Sequence, residues 1–259
     1  MRFADPLVPG TLILREKRFL AHVRLHDGRV VIAHTNNTGA MAGCSEPGSR
    51  VWLSPAHNPS RKLAYTWELV EVPSAPSTGL PVLAGIHTAL ANRLAVEAVN
   101  EGILAPLGHW DRVRTEVRFG AERSRVDLLL ERGPADAVER CFVEVKNVTL
   151  ARPDGSGAFP DAVTERGRKH LRELSGCVAA GDRAALLFVV QRGDIASVCP
   201  ADAIDPACPA VFREDNYWMI RTGAAALCDE GCLRALCLLQ RRRRHCNATT
   251  GDACADADL

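Results

Sequence analysis

Apolar and polar residues follow two different periods along this chain, and the change of period divides it. In residues 10–72 the period is two. FLAHVRLHDGRVVIAHT turns back on itself at Asp27-Gly28, and Leu63, Tyr65, Trp67 and Leu69 share one side of a later strand. About five short strands of this kind predict a small barrel. The next stretch, EVPSAPSTGLP (71–81), is rich in Pro, Ser and Gly and reads as a linker.

Helical spacing appears after the linker. TALANRLAVEAVNE (88–101) keeps Leu90, Leu94, Val96 and Ala98 near one face, and TEVRFG (115–120) then reads as a strand. In SRVDLLL, Val126, Leu128 and Leu130 alternate with Asp127 and Leu129; in CFVEVKNVTL, Phe142, Glu144 and Lys146 alternate with Val143 and Val145. Gly, Pro and Asp in the intervening RGPADAVE (132–139) predict a hairpin. PDAVTERGRKHLREL (160–174) sets Val163, Gly167, Leu171 and Leu174 on one helical face, with Pro160 in the first turn, and RAALLFVVQ (183–191) suits a buried strand. The predicted architecture is an N-terminal β-barrel (1–72), a linker (73–85), a mixed domain of order αβββαβ (86–206) and a tail (207–259).

With 259 residues and 47% apolar content the chain can form two modest cores. It has no run near the ~20 apolar residues that cross a bilayer, and MRFADPLVPG lacks an apolar export region, so a cytoplasmic protein is expected. A net charge of +1 confines any nucleic-acid site to a local patch. Residues 9–72 offer one, with eight Lys or Arg against five Asp or Glu and basic pairs at Lys17-Arg18 and Arg61-Lys62. Phe19, Tyr65 and Trp67 serve there either as stacking aromatics or as core residues. Asn36, Asn37, Thr38 and Gly39 form a polar turn suited to a phosphate or base edge, and equally to an ordinary turn.

The densest chemistry lies in the hairpin. If its strands pair, Asp127 comes beside Glu144 and Lys146. Two crowded carboxylates repel, and a hard divalent cation with a preference for oxygen relieves the repulsion. Mg²⁺ is the expected ion, with Mn²⁺ as the alternative. Such an ion activates water and polarises phosphate, and Lys146 can meet the charge that develops. An acid pair also occurs in glycoside hydrolysis, but the adjacent lysine suits phosphate better than a neutral sugar. Further along, Arg166 and His170 lie four apart on one helix face, able to support the same phosphate or simply to be solvated. Gln191 is a weaker candidate for this cleft.

The D…ExK pattern resembles the active site of the PD-(D/E)XK nuclease superfamily, and αβββαβ resembles its restriction-endonuclease-like core. Longer motifs narrow the likeness. GTLILREKRFLAHV (10–23), NTGAM (37–41), AERSRVD (121–127), EVKNVTL (144–150) and FPDAVTERGRKHLREL (159–174) resemble the sugar fermentation stimulation protein (SfsA) family over residues 1–206. That resemblance implies an OB-like barrel followed by a nuclease-like domain in a DNA-binding protein linked to sugar metabolism. It implies a metal and catalytic set of Asp127, Glu144 and Lys146, with Glu97 as a helix-borne further acid. It also implies nucleic-acid contacts from Lys17, Arg18, Asn37, Thr38, Arg61, Lys62, Arg125, Arg166 and His170. Two functions follow: a Mg²⁺-dependent nuclease, or a noncatalytic DNA-binding regulator of sugar-utilisation genes. At His87 the family typically carries Asn.

After Asp205-Pro206 this resemblance stops. Six of the ten cysteines fall beyond it, with four consecutive arginines at 241–244, a composition expected from a shifted reading frame in a GC-rich gene. The cysteine spacings do not form the paired CxxC of a structural zinc site.

Overall fold

The computed structural model describes residues 1, 3–75, 79–104, 107–163 and 165–205, together with the backbone of 217–221 and 239–240. Residues 206–216, 222–238 and 241–259, which hold the six cysteines and the four consecutive arginines of the tail, lie outside the described residues.

The N-terminal half forms six strands: β1 (Val8–Glu16), β2 (Leu20–Leu25), β3 (Val30–His34), β4 (Arg50–Pro55), β5 (Tyr65–Val72) and β6 (Val82–Gly85). They are ordered β3-β2-β1-β4-β5-β6, and parallel pairing of Ala33 and His34 with Tyr65 and Thr66 joins β3 to β5 and closes a five-stranded barrel. Leu12, Val23, Val51, Leu53 and Trp67 fill it, all essentially inaccessible to solvent. Gly10 lets β1 and β2 approach closely, since a Cβ there would lie 2.5 Å from the Val23 side chain. The Trp67 indole N–H donates to the Leu69 carbonyl at 2.9 Å, so this ring is core and not a stacking platform.

Two expectations change here. The segment at 73–85 is not merely a spacer, because β6 pairs antiparallel with β5 from Leu69↔Gly85 to Val72↔Val82. Strand β5 is also buried on both sides, Thr66 and Glu68 included, because the start of the second half covers its outer face. There the Ile86 N–H donates to the Glu68 carbonyl, while Glu68 accepts from Ser54 Oγ and pairs with His87 Nδ1, each at 2.6 Å.

The second half contains α1 (Thr88–Asn100), β7 (Arg112–Phe119), β8 (Ser124–Arg132), β9 (Glu139–Val148), β10 (Ser156–Phe159), α2 (Glu165–Ala179), β11 (Arg183–Val190), β12 (Ser197–Pro200), β13 (Tyr217–Arg221) and β14 (Leu239–Gln240). The main sheet is ordered β14-β13-β11-β9-β8-β7. Strands β7, β8 and β9 run antiparallel, whereas β9–β11 and β11–β13 are parallel, which places helices on both faces. On one face Ala91, Leu94, Ala95 and Ala98 of α1 pack on Leu128, Val143, Val145 and Leu187. On the other, Leu171 and Leu174 of α2 pack on Phe142, Leu186 and Phe188.

The expected αβββαβ order is therefore present, with additions. Strands β10 and β12 pair in parallel outside the main sheet. Pro160 follows β10 through a cis peptide bond instead of opening a helix, and α2 begins only at Glu165. Among the described residues no helix is long and apolar enough to cross a membrane.

The first residue of α1 is capped from the barrel. His87 makes no side-chain cap, and the Thr88 N–H donates to Asn36 Oδ1 at 3.1 Å. Loss of such a cap costs about 1 kcal/mol. Asn36→Ala should lower stability by that amount in urea denaturation, and an unchanged midpoint would show the contact to be idle.

Candidate metal and nucleic-acid site

Pairing of β8 with β9 runs from Arg132↔Glu139 to Leu128↔Val143. One residue further, Asp127 would stand opposite Glu144, and here the ladder gives way to side chains. The Val145 N–H donates to Asp127 Oδ2 at 2.7 Å, and Asn92 Nδ2 from α1 donates to Oδ1 at 2.9 Å. Because β9 alternates, Val143 and Val145 enter the core under α1 and leave Phe142, Glu144 and Lys146 on the α2 side.

Glu144 is 2% exposed. Both Lys146 Nζ and His170 Nδ1 lie 2.6 Å from its Oε1. An ionised carboxylate only accepts, so His170 carries its proton on Nδ1. The second oxygen, Oε2, is buried with no hydrogen-bond partner. A cavity of about 210 Å³ is lined by Glu144 together with Asp127, Lys146, Arg166, His170 and Asp205 among others.

The two acids titrate in opposite directions. Burial pushes the Asp127 carboxyl up and the neighbouring Glu144 charge adds to this, and together they outweigh the Val145 and Asn92 hydrogen bonds and the Lys146 ammonium. Burial would also push Glu144 up, but the His170 hydrogen bond and the Lys146 ammonium together outweigh it and hold its pKa below the ordinary value. The pair thus divides into a firmly ionised Glu144 and a more easily protonated Asp127.

The donor set suits a hard cation. Asp127 and Glu144 line one cavity with a third carboxylate, Asp205, already engaged by Arg168, and one oxygen of Glu144 is bare, a chemistry that matches Mg²⁺, which takes one or two carboxylates and completes its shell with water and phosphate. Among the described residues no three His, Cys, Asp or Glu side chains gather into a cage that could hold an ion unaided. Zinc-type coordination does not fit this set.

Comparison with known proteins bears on both halves. The SfsA N-terminal OB domain matches residues 13–77, and the sugar fermentation stimulation protein RE domain matches residues 89–219. The chain belongs to the SfsA family. A sugar fermentation stimulation protein homolog of Geobacter metallireducens is 55% identical over 213 residues, covering 82% of this chain and 87% of its own. One of Thioalkalivibrio sulfidiphilus is 53% identical over 214 residues, covering 83% and 86%. The structure of Pyrococcus furiosus SfsA in complex with Ca²⁺ superposes with a TM-score of 0.70 at 23% identity, covering 85% of this chain and 90% of that one. The second SfsA match also continues past residue 206, where the motifs alone had lost the likeness, and β13 at Tyr217–Arg221 joins the sheet in parallel beside β11.

Of the residues expected from the SfsA resemblance, Asp127, Glu144, Lys146, Arg166 and His170 meet around one cavity. Arg166 is exposed at its rim, whereas His170 is buried against Glu144 and acts on the carboxylate in place of a phosphate. Glu97 is elsewhere. It pairs with the Met1 amino group at 3.0 Å, because residues 92 and 97 are separated by roughly 140° around a helix of 3.6 residues per turn. Asn92 is the α1 side chain that reaches the acids.

The barrel residues divide similarly. Lys17 and Arg18 are exposed in the β1–β2 turn, Arg61 donates to Thr66 Oγ1 at 3.0 Å, and Lys62 is exposed. Arg125 is exposed opposite Arg118 of β7. Thr38 is exposed, but Asn37 is buried: its Oδ1 accepts the Gly39 N–H at 3.0 Å and its carbonyl accepts from Arg15 at 2.8 Å. Asn37 thus shapes the turn through its Oδ1 and its carbonyl. Gln191 is buried too, donating to Asn147 Oδ1 at 2.8 Å.

Asn92 and Asp205 escaped the sequence reading. Asn92 was visible as a polar residue in a helix otherwise Ala- and Leu-rich on that stretch. Asp205 is 1% exposed, accepts from Arg168 at 2.9 Å and lines the cavity. It carried no signal beyond preceding a proline.

Proposed function

We propose that this SfsA-family protein is a divalent-metal-dependent phosphodiesterase acting on nucleic acid, Mg²⁺ being the physiological ion and Mn²⁺ a substitute. The observation that carries this reading is the buried, unpartnered Oε2 of Glu144, a residue that lines the cavity together with Asp127 and Lys146. A carboxylate oxygen deprived of both water and donors is costly unless a cation completes it. That the related Pyrococcus furiosus structure is a complex with Ca²⁺, another hard oxygen-seeking cation, supports the same class of ligand here.

Asp127 and Glu144 would hold the ion, which would polarise a phosphate oxygen and acidify a bound water. The chain's own groups do the rest. Hydrogen bonds from Val145 and Asn92 fix the Asp127 rotamer, and His170 fixes that of Glu144. The Lys146 ammonium stands by the carboxylates to orient the attacking water and to offset charge on the phosphate. Arg166 at the rim suits a flanking phosphate. In the barrel, Lys17, Arg18, Arg61 and Lys62 are cations for DNA backbone contacts outside the reaction centre.

The decisive experiment incubates the purified protein with end-labelled single-stranded DNA, duplex DNA and RNA, with Mg²⁺, with Mn²⁺ and with EDTA. Cleavage that needs metal, together with binding that weakens steeply as salt rises, is expected. Tight binding with every substrate intact under all metal conditions would overturn the nuclease and leave a noncatalytic DNA-binding regulator of sugar metabolism.

A further inference from the structure

The β1–β2 hairpin makes its left-handed turn with two long cations instead of the usual Gly or Asn. Lys17 and Arg18 both adopt left-handed backbone angles, with φ of 49° and 65°, a conformation that side chains other than Gly and Asn usually avoid. Two adjacent long cations held this way store strain, and such strain persists where surrounding contacts enforce it. Those contacts are present. Arg15 Nε and Nη2 donate to the Arg18 carbonyl at 3.1 and 2.8 Å, and the same guanidinium donates to the carbonyls of Asn37 and Gly39 at 2.8 and 3.0 Å. The Phe19 carbonyl accepts the Thr35 N–H at 3.0 Å.

The backbone is thus pinned while the Phe19 ring is left outside, 44% exposed. Leu14 and Ile32 are exposed on the same small sheet, at 42% and 39%, and the strand register sets both opposite His22. The exposed cations of the same hairpin are Lys17, Arg18 and Arg24, and its acid Glu16 pairs with Lys17 at 3.7 Å and with His22 at 3.0 Å. A ring beside cations matches a nucleotide, whose base stacks while its phosphate is neutralised. In a duplex the faces of a base are already covered by its neighbours, so only an unpaired base can lie on Phe19.

The turn is also connected to the candidate site. Gly39 packs against Asp161 so closely that a Cβ would fall 2.7 Å from its Oδ2, and the Met41 N–H donates to the same oxygen at 3.4 Å. Asp161 lies just before α2, whose Arg166 lines the acid-bearing cavity. The Arg15-bound segment 37–41 therefore bridges the fingertip and the helix that borders the cavity.

We infer that the Lys17-Arg18-Phe19 turn is a stacking finger for an unpaired base, making the substrate class of the proposed phosphodiesterase single-stranded nucleic acid. This rests on the nucleic-acid reading above, but its test does not depend on hydrolysis. Fluorescence anisotropy in EDTA would compare a labelled oligothymidylate of about 12 nucleotides, within the span of one OB fold, with a blunt duplex of the same length. The wild-type protein should prefer the single strand more than tenfold. Phe19→Ala and Phe19→Leu should each weaken oligothymidylate binding about tenfold and abolish the preference. Phe19→Trp should retain it, with indole fluorescence quenched by stacking on the oligonucleotide. Because the ring is exposed, all three variants should melt with the wild type. Oligothymidylate binding by Phe19→Ala equal to that of the wild type, or a wild-type preference for duplex, would overturn the finger. Single-strand binding through Phe19 by a protein that cleaves nothing would refute the phosphodiesterase and leave the finger standing.

Discussion

Glu144→Gln should reduce metal-dependent cleavage at least ~10³-fold, the scale on which preorganised charge at a reacting centre contributes. The substitution preserves shape and volume but places either an amide NH₂ or a neutral oxygen at the position of Oε2, so the bare acceptor and its charge are lost together. Lys146 and His170, which now share Oε1 at 2.6 Å, would also be left beside a neutral group. Calorimetric titration with Mg²⁺ or Ca²⁺ should show metal binding lost in this variant. Lys146→Ala should behave differently. It removes a competing cation and leaves both carboxylates, so metal binding should persist or strengthen while cleavage falls by a similar factor. This separation of affinity from rate distinguishes metal ligands from the group that assists water attack. A Glu144→Gln protein that cleaves at the wild-type rate would remove the basis of the site.

Arg192→Ala should destabilise the protein by about 3–5 kcal/mol, the range for losing one partner of a buried ion pair. Arg192 is 4% exposed and sits just after β11, where it joins the two halves of the molecule. Its Nε and Nη2 donate to Asp194 at 2.9 and 2.7 Å, Nη1 donates to the Thr149 carbonyl at 3.1 Å, and Nη2 reaches the Pro73 carbonyl after β5 at 3.2 Å. Asp194 in turn accepts the Ala75 N–H at 2.7 Å. The Arg192→Ala variant leaves the Asp194 charge buried and two carbonyls without their donor. For a chain of this size the loss corresponds to a fall in Tm of roughly 10 °C.

Acid should reveal the same pair. Burial opposes ionisation of Asp194, but the Arg192 hydrogen bonds, the Ala75 N–H and the guanidinium charge together hold its pKa below the ordinary value. A depressed carboxylate binds fewer protons folded than unfolded, so its contribution is present above the ordinary aspartate pKa and is lost as pH falls through the lower folded value. In Arg192→Ala that acid-sensitive contribution should disappear, which urea denaturation at a series of pH values below 5 would measure. A loss under 1 kcal/mol at neutral pH would show that the two halves do not depend on this arginine.

The candidate site was legible in part, for a definable reason. Alternation in a strand is strict, so Glu144 and Lys146 had to share a face, and the Gly-Pro-Asp turn made pairing with the Asp127 strand the natural consequence. Helix phase is weaker information. The periodicity of residues 88–101 identified an amphipathic helix, but the rotation that buries Ala91, Leu94, Ala95 and Ala98 under the sheet turns Asn92 toward Asp127 and sends Glu97 to the Met1 amino group. Carrying an acid over by position chose the wrong member of that helix. Asn37 was ambiguous for a similar reason: its type suits a binding turn and a structural one equally, and the Arg15 contact that holds its carbonyl comes from another strand.

From its residues alone the chain specified a barrel followed by a mixed α/β unit, the αβββαβ order, the hairpin that unites Asp127, Glu144 and Lys146, and membership of its family. These follow from local periodicity, turn chemistry and motif identity, all of which act within a few residues of chain. Tertiary packing alone decided that β6 returns to the barrel, that His170 serves Glu144, that Asn92 holds Asp127, that Asp205 enters the cavity, and that Trp67 is interior while Phe19 faces outward. Each of these depends on which surface a side chain meets across a long loop of sequence, and a local pattern records only that it has a face to present.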